Sequence, residues 1–351
     1  MNRKAGTALI VSAALLLAGC AGGADPSGAG STAGGADVSE LRLGFFPNFT
    51  HAPALVALEK NFLQEELGDG VKITPVVFNA GPAAIEALFG NAVDMSFIGP
   101  NPAITGYAQS DGAALRVVAG AASGGAALVV RDGIDTVKDL KGTTLATPQL
   151  GNTQDVALRY FLKENGFETT TEGGGDVKIT PQDNAATLAA LQTGDIDGAW
   201  VPEPWTTRLQ VEGGAHVLVN EADLWDDGKF VVTHLISATT FLKEHPGTVE
   251  AVIRAEERAI EFIQENPEEA KQIVNDSIEK LTGKAIASDI LDAAWENVTF
   301  TLDPLTSSLF TSAKHAEDVG LLKPVDLRGI YDLDILNRVL ADAGKPGIEL
   351  P

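Results

Sequence analysis

The sequence predicts an α/β protein of two similar lobes, joined by two crossings of the chain and facing each other across a cleft. Three observations predict it. Short apolar strand patterns alternate with amphipathic helical patterns through the first two-thirds of the chain, as in parallel α/β sheets. A segment beginning VKITP at Val71 recurs at Val177, with the same order of strand, small-residue turn, short helix, glycine (Gly90, Gly194), second strand and Pro-x-Pro exit. That period is far too long for a solenoid. The globular body, about 310 residues, is also long enough for two domains.

The elements follow in order. A basic Asn2-Arg3-Lys4 start, an apolar run from Ala8 to Ala18 and small residues before Cys20 read as a signal peptide over 1–19, too short to span a membrane. Its end, Leu17-Ala18-Gly19-Cys20, resembles a bacterial lipobox, which implies cleavage before Cys20 and a lipid on its thiol. Residues 20–40 are rich in Gly, Ala and Ser, the composition of a flexible tether. Strands are predicted at 41–46, 71–78, 95–98, 115–119, 127–130, 144–147, 177–180 and 199–201, and helices at 52–67 and 156–165. From Thr239 the pattern is helical, with Val249, Val252, Ile253, Ile260 and Ile263 at helix spacing and Pro267 restarting a helix. Crossings near 123–128 and 229–234 divide the body into one lobe of 41–123 plus 233–351 and another of 124–232.

Composition narrows the function. Asp and Glu outnumber Lys and Arg by 48 to 25, a net charge of −23, which argues against nucleic acid or anionic lipid as partners. Cys20 is the sole cysteine, so the body has no disulfide, cysteine metal site or catalytic thiol. The five histidines are scattered, with no metal-ligand spacing, and no Gly-x-Ser-x-Gly elbow is present. No metal, cofactor or catalytic residue is expected.

In open parallel sheets ligands sit beyond the carboxyl ends of strands. Five loops occupy such places: 47–53, 79–82, 99–102, 148–154 and 202–205, built from Pro, Gly, Asn, Thr and aromatics without Lys or Arg. Dianionic phosphates usually meet Arg or Lys. A singly charged oxyanion can instead be held by helix N-termini and neutral donors. The Gly151-Asn152-Thr153 turn before a helix is either such a cradle or an ordinary cap. Pro53, Pro82 and Pro102 suit first helical turns. Phe45, Phe46 and Trp205 are candidates to wall the cleft around an apolar tail. Glu203 either braces a loop or hinge, or pairs with an amine on the ligand; His51 either donates to ligand or packs at a helix start.

The stretches LRLGFFPNFTHAPALVALEKNF, MSFIGPNPAITGY, TPQLGNTQDVALRYFL and DGAWVPEPW together resemble the substrate-binding lipoproteins of ABC importers for aliphatic sulfonates, taurine and nitrate. The resemblance implies a type II periplasmic-binding-protein (Venus-flytrap) fold, a monomer, and delivery of one small organic anion to a permease whose ATPase is a separate protein. By position in these motifs it implies ligand contacts from Asn48, Thr50, His51, Pro100, Asn101, Gly151, Asn152, Thr153, Glu203 and Trp205. A sulfonate suits a cleft without cations, being singly charged with three acceptor oxygens. Taurine, nitrate or a pyrimidine-type thiamine precursor are the other expectations. Relatives of this fold include a pyrimidine-synthesising enzyme with a cysteine-rich iron motif, for which this chain lacks the cysteines.

Overall fold

Two sheets organise the body, of which the computed structural model describes residues 37–350. The expected signal peptide (1–19), the lipidated Cys20 and most of the tether lie outside the described residues. The strands in chain order are β1 (Glu40–Phe45), β2 (Lys72–Val77), β3 (Met95–Ile98), β4 (Leu115–Gly124), β5 (Ala126–Val130), β6 (Thr144–Thr147), β7 (Lys178–Pro181), β8 (Gly198–Pro202), β9 (His216–Asn220), β10 (Val231–Ala238) and β11 (Val298–Phe300). They form one sheet ordered β11-β4-β10-β3-β1-β2 and another ordered β7-β6-β8-β5-β9.

The sequence repeat is a repeat of topology. In the first sheet β1 lies parallel between β2 and β3, and β10 then runs antiparallel to β3 and β4. In the second sheet β6 lies parallel between β7 and β8, and β5 runs antiparallel to β8 and β9. The two VKITP segments form β2 and β7, each one of the two edge strands of its sheet. An edge tolerates Pro75 and Pro181, which have no ladder N–H to donate. The chain passes from the first sheet to the second between β4 and β5, at Gly124 and Gly125 with φ of +79° and +71°, and returns between β9 and β10. A Cβ on Gly125 would lie 2.5 Å from the Val298 side chain, so glycine also meets a close approach here.

Strand alternation builds the core of the second sheet. Leu128 and Val130 of β5 face one cluster with Leu145 and Trp200, while Ala127 and Val129 face another with Ala146 and Val201. Both faces are covered, by α5 (Thr153–Glu164) on one side and by α6 (Asn184–Thr193) and α7 (Trp205–Val211) on the other. On the first sheet lie α1 (Ala52–Glu59), α2 (Phe62–Leu67), α3 (Gly81–Phe89) and α4 (Pro100–Gln109). The later helices, α8 (Thr239–Glu244), α9 (Pro246–Glu265), α10 (Pro267–Thr282), α11 (Ser288–Trp295), α12 (Thr306–Asp318) and α13 (Asp334–Asp342), contribute to the same large core. No helix among the described residues is long and apolar enough to cross a membrane.

Three expectations need correction. The helix expected over 52–67 breaks at Asn61, whose φ of 61° is left-handed, into α1 and α2. Residues 231–234, read as a crossing, begin the central strand β10. Its buried Thr233, His234 and Ser237 disguise it, and His234 is accommodated by a 2.8 Å hydrogen bond between Nε2 and the Pro304 carbonyl. Strands β9 and β11 carried no clear alternation and were not expected.

Candidate ligand-binding site

The carboxyl ends of the parallel strands face one another across a tight cavity of about 20 Å³. Asn48, Thr50 and His51 reach it from the first sheet, with Gly99 at the N-cap of α4; Asn152, Thr153 and Gln154 reach it from the second. Its polar groups are neutral donors and acceptors, and neither Lys nor Arg lines it.

His51 is held as a neutral donor. Burial pushes its imidazole down to about 3, its Nδ1 accepts the Phe46 N–H at 3.4 Å, and its ring lies 4.4 Å from that of Phe46. With Nδ1 accepting, the proton resides on Nε2. Thr153 reaches across the cleft: a Cβ on Gly99 would lie 2.3 Å from Thr153 Oγ1, and that buried hydroxyl has no hydrogen-bond partner among the described residues. A buried hydroxyl left unsatisfied is unfavourable, so this one suits an incoming polar group.

The turn before α5 is built by Asp155. Its carboxylate accepts from the Gly151 N–H at 2.9 Å, the Thr147 hydroxyl at 2.8 Å and Arg159 Nε at 2.9 Å, and both charged side chains are buried. Gly151 adopts φ +75°, which glycine permits. The Asn152 side chain makes no capping bond; its amide donates to Gln154 Oε1 at 2.9 Å. The first-turn N–H groups of Thr153 and Gln154 therefore stay uncapped at the positive end of the helix.

Several expected contacts fall elsewhere. Gly151 does not line the cavity, and its N–H is consumed by Asp155. Pro100 and Asn101 open α4 but neither lines the cavity; the Asn101 amide turns away to donate to the Ser312 carbonyl of α12 at 3.1 Å. Glu203 is fully buried and faces the first crossing instead of the cleft. Its carboxylate accepts from the Thr207 N–H at 3.1 Å, the Thr207 hydroxyl at 3.0 Å and the Asn297 amide at 2.7 Å, and burial raises it to about 7. The physical reason is that Thr207 of the adjoining helix start and Asn297 hold the carboxylate where it lines neither the tight cavity nor the space beside Trp205. Phe45 is core, whereas Phe46 lines the cavity.

Trp205 stands at the edge of a second space. A chamber of about 400 Å³ shares Asn48, Asn79 and Asn184 with the tight cavity and is walled by Trp205, Leu188, Ile278 and Ile286. Trp205 Nε1 donates to Asn48 Oδ1 at 3.2 Å, which ties α7 to the loop before α1. Arg208 and Lys284 also line the chamber. The cleft is thus free of cations at its tight end only. Asn184 was legible in the repeat, since it follows the second VKITP strand as Asn79 follows the first. Arg208 stands one helical turn after Trp205, on the same face of α7.

Residues 34–276 match the NMT1-like family. The chain belongs to that family. It is 25% identical, over 98% of its length and 99% of the relative's, to a Bacillus subtilis protein named "Putative aliphatic sulfonates-binding protein". It is 28% identical to the taurine-binding periplasmic protein of Escherichia coli over 58% of this chain and 60% of that one. Among solved structures it is similar to the alkanesulfonate-binding protein SsuA from Xanthomonas axonopodis pv. citri bound to MOPS, with a TM-score of 0.70, 20% identity, and coverage of 84% of this chain and 99% of that one. The fold is therefore that of the periplasmic binding proteins, with the two sheets of this NMT1-like chain as its two lobes. All three relatives are named as binding proteins, none as an enzyme.

Proposed function

We propose that the protein is the extracytoplasmic solute-binding component of an ABC importer, and that it captures an aliphatic sulfonate between its lobes. The observation that carries this is the donor set at the tight end of the cleft. The unpartnered Thr153 hydroxyl, the neutral His51 and the uncapped start of α5 meet there without a cation. Such a set suits a singly charged oxyanion, and the adjoining chamber with Trp205 suits its organic tail. The names of the sulfonate- and taurine-binding relatives support the same ligand class.

In this reading the ligand binds the open form and adds contacts on closure, because only better contacts in the closed state can drive it. The closed form then docks on a permease served by a separate ATPase subunit. Cys20 carries the lipid anchor and residues 20–40 the tether, after cleavage of the signal peptide 1–19. The lobes comprise 41–123 plus 233–351 and 124–232, and the protein acts as a monomer.

Thermal unfolding of the purified protein with alkanesulfonates of increasing length, taurine, nitrate, sulfate and a pyrimidine tests the ligand class. A true ligand at a hundred times its dissociation constant adds about 2.7 kcal/mol of stability. Alkanesulfonates are expected to stabilise and sulfate not; a response to the pyrimidine alone overturns the anion reading. Asn152→Asp, which puts a carboxylate into the cavity, is expected to abolish sulfonate binding while the free protein stays folded, as a retained cooperative melting transition would show.

A further inference from the structure

The chamber beyond the tight cavity holds a charge arrangement that an apolar tail leaves unused. Arg208 is almost fully buried, and its guanidinium lies 4.4 Å over the Trp205 ring. Two of its nitrogens engage Glu212, Nε at 2.7 Å from Oε1 and Nη2 at 3.2 Å from Oε2, while Nη1 has no partner among the described residues. Lys284, from the segment after α10, places Nζ 3.0 Å from the same Glu212 carboxylate. Two cations thus share one carboxylate beside a space of about 400 Å³, and Arg208 is the buried one of the two. The carboxylate that lines the chamber, Asp183, is exposed to solvent as Lys284 is, and stands at the N-cap of α6, where the helix end offsets its charge. Asn184, which joins the chamber to the tight cavity, is buried with Oδ1 unpartnered among the described residues.

We propose that the chamber is a second recognition site, for the far end of the ligand, and that it selects a planar tail ending in a carboxylate received by Arg208. The proposal rests on the sulfonate reading above, since the head group must occupy the tight cavity for the tail to reach the chamber. Size favours a bulky tail. A methyl or ethyl group leaves most of the 400 Å³ to water, at roughly 30 Å³ per molecule. The Trp205 indole offers a flat wall, and its bond to Asn48 fixes its edge. Guanidinium is the side chain best matched to a carboxylate, and a desolvated one binds it more strongly than an exposed lysine does. Glu212 sets the tuning: it holds Arg208 in place over Trp205 while drawing off part of its charge.

Titration calorimetry of the purified protein at fixed ionic strength compares methanesulfonate, para-toluenesulfonate and para-sulfobenzoate. The last two differ only in methyl against carboxylate at the tip. Para-sulfobenzoate is expected to bind about tenfold more tightly than para-toluenesulfonate. Arg208→Gln is expected to bring that ratio to about one and Arg208→Lys to retain part of it. Glu212→Gln is expected to raise it, because it frees both cations, whereas a purely structural Glu212 would make binding of both ligands worse in equal measure. Equal affinities in the unaltered protein, or a preference that survives Arg208→Gln, overturn the proposal while methanesulfonate and para-toluenesulfonate binding leaves the head-group reading standing. If none of the three binds, the head-group reading fails and the proposal falls with it.

Discussion

Two helices of the second sheet begin at the cleft, and a buried carboxylate governs each start differently. At α5, Asp155 is neutralised from outside the turn by Arg159 and bonds back to the Gly151 N–H, so the Thr153 hydroxyl and the first-turn amides are left for the cavity. At α7, Glu203 has no cation; it is satisfied by the Thr207 N–H and hydroxyl together with Asn297, so the helix gives it one amide and one hydroxyl. The first arrangement leaves a polar end able to hold an anion. The second places a carboxylate at the helix start, which disfavours an anion there, and presents the Trp205 indole. In the proposed function, the division of the cleft into a head-group end and a tail end follows from which groups neutralise two carboxylates.

The comparison breaks most visibly at Arg159. Arg159→Leu leaves Asp155 charged, buried and unpaired, and is expected to lower stability by about 3–5 kcal/mol. Asn297→Leu, which removes one neutral partner of Glu203, is expected to cost about 1–2 kcal/mol. Denaturant unfolding of both variants checks the contrast, and equal losses would mean that the two carboxylates are held alike.

The next effect is on pH dependence. Glu203 is raised from 4.5 to about 7, so the folded state keeps its proton where the unfolded state releases it. Its stabilising contribution is complete below about pH 4.5 and is lost as pH rises toward 7, up to about 3 kcal/mol in all. His51 and His234, lowered to about 3 and about 4, act with the opposite sign, since their contribution is complete above about 6.5 and is lost as pH falls. The readout is therefore the difference between the protein and Glu203→Gln across this range. That difference is expected to grow with pH between about 4.5 and 7 and then level off; a flat difference would show that Glu203 is not the group that titrates.

Much of the cleft was legible because strands end where ligands bind. Asn48, Thr50, His51, Asn152 and Thr153 follow strands whose apolar patterns are plain, and the structure brings all five to one cavity. The direction of a side chain at such an end was not legible. Glu203 and Asn101 stand at the right places in the chain and turn away, because partners from distant segments, Asn297 and Ser312, claim them. Arg208 and Lys284 escaped for another reason. Arg208 comes from the side of α7, one turn beyond Trp205, and Lys284 comes from beyond the end of α10 and reaches the chamber only because the late helices pack near α7. The strand β10 was hidden by its own buried polar residues, whose partners the sequence does not reveal.

The head and tail ends can then be separated by ligand length. Thr153→Val keeps the shape and removes the unpartnered hydroxyl, so it is expected to weaken every alkanesulfonate by about tenfold, whatever its chain, without loss of stability. Trp205→Ala acts at the other end. It is expected to affect methanesulfonate least, through the lost bond to Asn48, and to weaken longer chains progressively, by at most about 0.8 kcal/mol for each methylene that would have lain against the ring. Calorimetry across one ligand series on both variants gives two curves against chain length, one flat and one sloping. The slope belongs to Trp205 because α7 opens with an indole where α5 opens with a hydroxyl. If both curves are flat, the tail does not enter the chamber and the two helix starts serve the same end of the ligand.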